Sequence, residues 1–71
     1  MVRADDLIRA IERYAARHGI VCRTASGKGS HRKIWLGTRR SVVPCHGGDL
    51  PVGTYRAILR RLEIADSDLK D

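Results

Sequence analysis

Apolar side chains recur at three- and four-residue steps early in the chain and at two-residue steps through its middle. Leu7, Ile8, Ile11, Tyr14 and Ala15 make one stripe at helical spacing, which predicts an amphipathic helix over residues 4–18. Asp5 and Asp6 fall in its first turn, where the helix dipole favours negative charge, and Gly19 suits the left-handed position just past its end. The outer face carries Arg9, Arg13 and Arg17. Like charges four apart repel by roughly 0.2–0.5 kcal/mol per pair, and Asp5 and Glu12 offset part of that. This row reads as a ridge that tracks phosphates or as an ordinary solvated face. His18, in the last turn, is placed to interact with the dipole.

Three strands follow. The β-branched run from Ile20 to Thr24 predicts the first, and Ala25 to Ser30 a loop punctuated by Gly27 and Gly29. His31 to Leu36 predicts the second. Its period of two puts Arg32, Ile34 and Leu36 on one face and His31, Lys33 and Trp35 on the other. With the aliphatic face toward the core, His31 is expected on an open face beside a lysine and the chain's one tryptophan. Gly37 to Arg40 reads as a hairpin turn and Ser41 to Pro44 as the third strand, ended by a residue that cannot donate a ladder bond. After a glycine-rich connector from Cys45 to Pro51, Tyr55, Ile58, Leu59 and Leu62 form the stripe of a second helix. Pro51 is expected in its first turn, with Asp49 or Leu50 as the cap. Arg56, Arg60 and Arg61 face outward. Residues 65–71 read as a frayed acidic tail, or as a last half-turn capped by Asp66 or Ser67.

The pattern is thus a single α+β domain over residues 1–71. The order is α-β-β-β-α, with a three-stranded antiparallel sheet and both helices on one of its faces. That is the topology of the double-stranded RNA-binding domain, although a fold does not by itself give a function.

Composition narrows the function. A chain of 71 residues buries only about 60% of its unfolded surface, and a surface groove suits it better than a deep pocket. The net charge is +6, and 14 Lys+Arg stand against 8 Asp+Glu. Most of the cations are arginines, whose planar fork pairs with phosphate, so the expected partner is nucleic acid. The N-terminus has no apolar run of the secretory kind and no stretch is long enough to span a membrane, so a cytoplasmic protein with both Cys22 and Cys45 reduced is expected. A disulfide would need the strands carrying the two thiols to be neighbours. No pair of Cys or His has zinc-site spacing, and neither metal nor cofactor is expected.

The candidate chemistry gathers at Gly27-Lys28-Gly29-Ser30-His31. RNA carries its own nucleophile, the 2′-hydroxyl, so its cleavage needs a base for that proton and cations or amides for the charge developing on phosphate. An unperturbed imidazole titrates near about 6.5 and suits the first task. Lys28 and Lys33 flank His31 and suit the second. Gly27 and Gly29 let a phosphate approach the backbone, Ser30 adds a donor, and the amides near Gly53 and Thr54 are a further candidate anion site. As a bare pattern these residues also fit a loop histidine that only contacts phosphate, and the pattern by itself favours that reading. Trp35 is a candidate for stacking on a base, or else an aromatic packed at the sheet edge.

Three segments carry a resemblance. Gly29-Ser30-His31 opens the second strand, Val43-Pro44-Cys45-His46-Gly47 ends the third, and Gly53-Thr54-Tyr55-Arg56-Ala57-Ile58-Leu59 opens the second helix. In order and spacing they resemble the HicA family of bacterial toxin ribonucleases. The resemblance covers roughly residues 27–64, and the first helix agrees in type. It implies a metal-independent mRNA interferase whose catalytic histidine matches His31, and a HicB-type antitoxin that blocks the site. His46 matches the family's Pro-x-His segment, as a second acid/base or as a structural histidine of the connector. The alternative function is a non-catalytic RNA-binding module of the same fold.

Overall fold

Helical spacing of the apolar residues, acids in the first turn and Gly19 at the end together produce α1, Ala4–His18, in a computed structural model of the chain. The structure describes residues 3–26, 29, 31–45 and 49–69. Gly19 takes the left-handed conformation at φ 66°, and the amides of Gly19 and Ile20 close the helix onto the carbonyls of Ala16 and Ala15. Three strands follow: β1, Cys22–Ser26; β2, His31–Leu36; and β3, Arg39–Pro44. Then come α2, Val52–Leu62, and one short further turn, α3, Asp66–Leu69.

The sheet is antiparallel with β2 in the centre. Ile34 and Leu36 of β2 and Val43 of β3 point to the buried side. There they meet Leu7, Ile8 and Ile11 of α1 and Ile58, Leu59 and Leu62 of α2 in one apolar cluster. Both long helices therefore cover the same face, and the other face of the sheet lies open. This is the α-β-β-β-α architecture expected from the pattern.

Four boundaries differ from expectation, each for a local reason. β1 starts at Cys22 rather than Ile20. The Ile20 amide is engaged in closing α1, and the Val21 carbonyl accepts a hydrogen bond of 2.8 Å from the Gly37 amide. β3 starts at Arg39 because the hairpin turn is two residues long, Gly37-Thr38, with Gly37 at φ 63°. A glycine in first place is the requirement of one of the two-residue turns whose twist matches that of the strands. Pro51 is the residue before α2, extended at ψ 145°, rather than a member of its first turn. Finally, residues 66–69 are not frayed. Leu69 is buried, the Arg17 guanidinium donates 2.8 Å to the Asp68 carbonyl, and the Tyr55 hydroxyl is hydrogen-bonded to Asp66. Lys70 and Asp71, the rest of that expected tail, lie outside the described residues.

Candidate functional site

The register decides which side chains share the open face. Residues paired across antiparallel strands project to the same side. Lys33 is opposite Ala25 and Val42, and Trp35 is opposite Arg23 and Arg40. His31 is opposite Pro44. The open face therefore reads Arg23 and Ala25 on β1, His31, Lys33 and Trp35 on β2, and Arg40, Val42 and Pro44 on β3. Among the described residues it has three fixed cations and no carboxylate.

His31 stands at one end of this face. Among the described residues the pairing with β1 reaches Ser26 and Arg32, one residue later, and the one cross-strand neighbour of His31 is Pro44. Its side chain is exposed, not covered by the helices. Gly29, two residues before it, is exposed and left-handed at φ 69°, and a Cβ built there would meet nothing within 4 Å. The approach to the Gly29 backbone is open, as a phosphate contact needs. Lys33 is exposed on the same face. Three further candidates, Lys28, Ser30 and His46, lie outside the described residues, as does Gly27.

Trp35 does not do what a core aromatic does. It is half-buried, yet it belongs neither to the apolar cluster nor to the residues packed against it. Two shallow grooves flank it. One, of ≈ 300 Å³, runs over the β3 edge between Lys33, Trp35, Arg40, Val42 and Arg61 of α2. The other, of ≈ 330 Å³, lies between Trp35, Arg23 and Gly37. Packing at the sheet edge is thus overturned: Trp35 is in the central strand, between two arginines. Sequence reasoning passed over Arg23 and Arg40. The signal for Arg40 was present, since a two-residue Gly37-Thr38 turn sets Arg40 opposite Trp35.

Other expectations fall away from this face. Arg9, Arg13 and Arg17 belong to the helical side, and Arg17 holds α3. The His18 ring lies 4.3 Å from that of Tyr14. The groove at the start of α2, near Gly53 and Thr54, is lined by Asp49, Arg56 and Asp66 and includes no residue of the sheet. Cys22 and Cys45 are free thiols. Cys22 opens an outer strand opposite Leu36, whereas Cys45 follows the far end of the other outer strand, so no neighbouring pair exists to bridge. Burial first, and the nearby Glu12 second, push the Cys22 thiol up. Among the described residues no three His, Cys, Asp or Glu side chains gather as a metal site, and no helix is long and apolar enough to cross a membrane.

Comparison with curated proteins gives no match. A family model does match: the HicA toxin of bacterial toxin–antitoxin systems, over residues 4–64. The matched span takes in both long helices, all three strands and the open face with His31. It ends at Ile64, two residues before α3. Covering most of the 71 residues, the match agrees with the three motif segments and with the fold that positions them, and the chain belongs to the HicA family of toxins from bacterial toxin–antitoxin pairs.

Proposed function

We propose that this chain is a metal-independent endoribonuclease, the mRNA-cleaving toxin of its pair, and that His31 is its general acid/base. The observation that carries this is an exposed imidazole on a cationic sheet face that, among the described residues, holds no carboxylate. His31 takes the proton of the 2′-hydroxyl as that oxygen attacks phosphorus. The bond from phosphorus to the 5′-oxygen breaks, and the leaving oxygen takes up a proton from water or from a second acid, for which His46 is the candidate. Lys33 and Lys28, with the Gly29 and Ser30 amides, offset the charge that builds on phosphate. The products are a 2′,3′-cyclic phosphate and a 5′-hydroxyl.

Membership of a toxin–antitoxin family implies a cognate antitoxin. We take it to be of the HicB type, acidic or shape-matched where it meets the basic face, so that charge attraction speeds the encounter. Both partners and the RNA are expected in the cytoplasm.

The test is a single-stranded RNA carrying a 2′-deoxy nucleotide at the cleaved position. Cleavage there stops, and cuts elsewhere in the strand continue. Cleavage that ignores the missing hydroxyl would contradict the mechanism. Binding that weakens with salt, with no cleavage of any RNA, would favour the non-catalytic RNA-binding module instead.

A further inference from the structure

We propose that Trp35, held between Arg23 and Arg40, is a base-stacking subsite for single-stranded RNA, set about two nucleotides from the bond that His31 addresses. The inference deepens the ribonuclease reading and rests on it for the position of the cut. Three observations carry it.

First, Trp35 is half-buried outside the apolar cluster, so its indole is not needed to fill the core. Second, Arg23 and Arg40 are its two cross-strand partners, and both are exposed. Neither is bonded to a carboxylate among the described residues. An aromatic face between two such cations is the combination that sequence-tolerant single-strand binders use: the ring takes a base and the guanidinium groups take the flanking phosphates. Third, grooves open on both sides of the indole, of ≈ 300 and ≈ 330 Å³, so a strand can enter and leave across it.

Spacing supplies the register. Four residue steps of extended chain take β2 from His31 to Trp35, about 13 Å, which an extended polynucleotide bridges with about two nucleotides. The occupant is a single strand rather than a duplex, because a paired base offers no free face to the indole. The subsite would thus favour a base over an empty position without reading base edges.

Trp35 is the one tryptophan of the chain, so its fluorescence reports this site alone. The protein carrying His31→Ala is titrated with a single-stranded RNA of about 12 nucleotides, long enough to cross the face. Trp35 emission is quenched. In the same background Trp35→Leu weakens binding about five- to hundredfold, and Trp35→Phe restores most of it. Neither change enters the core, and circular dichroism confirms the fold of both. With active protein and RNAs carrying one abasic site at successive positions, cleavage slows most when the gap lies about two nucleotides from the cut. That dip disappears in Trp35→Leu.

Equal binding by the His31→Ala protein with and without Trp35→Leu would overturn the proposal. So would emission that is unmoved by RNA and shifts instead with protein concentration, which would mark the face as a contact between copies. Quenching by RNA, with no cleavage by the protein that retains His31, would leave the stacking subsite standing and remove the ribonuclease reading, so the two failures are distinct.

Discussion

His31 and Gly29 set the chemistry at the residue scale. Removing the proton carrier with His31→Ala lowers the cleavage rate by about 10²–10⁴, the usual worth of a placed acid/base, and leaves the apolar core untouched. Gly29→Ala acts differently. No atom obstructs the new Cβ, but the left-handed backbone does, at a cost of about 1 kcal/mol. The loop relaxes away from its native path, and cleavage falls while the fold persists. Rate and thermal midpoint measured on both variants separate loss of a chemical group from loss of its position.

Elements hold that position, and most of them were legible in the sequence. The α1 stripe gave the bounds of α1, and alternation in β2 gave the face of His31, because each element has one buried side and a fixed period. What escaped depended on partners. Residues 20 and 21 look like strand but serve the α1 cap and the Gly37 contact. The sequence beyond Ala65 looks like tail because its apolar content is a single leucine, yet that leucine reaches the core. Leu69→Ala should therefore cost about 2 kcal/mol in urea unfolding, where a frayed end would cost nothing. Tyr55 also fastens α3. Burial first, and the hydrogen bond to Asp66 second, push its phenol up to about 12. A free phenol titrates near about 10. The folded state thus holds this proton more tightly, and the resulting stability is complete below about pH 10 and lost as pH rises toward 12. Tyr55→Phe should be less stable than wild type by about 1 kcal/mol at pH 8, with the difference shrinking across that alkaline window.

The whole molecule separates two sides. Its Cα radius of gyration is 11.1 Å, about the value expected of a compact domain of this length. Within it a cationic sheet face and an arginine-bearing helical face point opposite ways. Net charge alone does not tell them apart, and the sequence left the α1 arginines open as a phosphate ridge. If RNA lies on the sheet, Arg13→Ala leaves cleavage within about twofold of wild type, whereas Lys33→Ala lowers it about tenfold or more. Binding should weaken with salt at a slope of about −3 in log–log form, about −0.7 for each of the cations Arg23, Lys33, Arg40 and Arg61. Arg40→Ala should remove about one such increment. An unchanged slope in Arg40→Ala and a reduced one in Arg13→Ala would move the RNA to the helices.

Cleavage of single-stranded RNA in excess EDTA, by wild type and by folded His31→Ala side by side, is the most direct measurement. The wild type should cut and leave 2′,3′-cyclic phosphate ends, and the variant should cut at least about a hundredfold more slowly. Equal cutting by both, or by neither, would contradict a proton-transferring role for the imidazole at the head of β2.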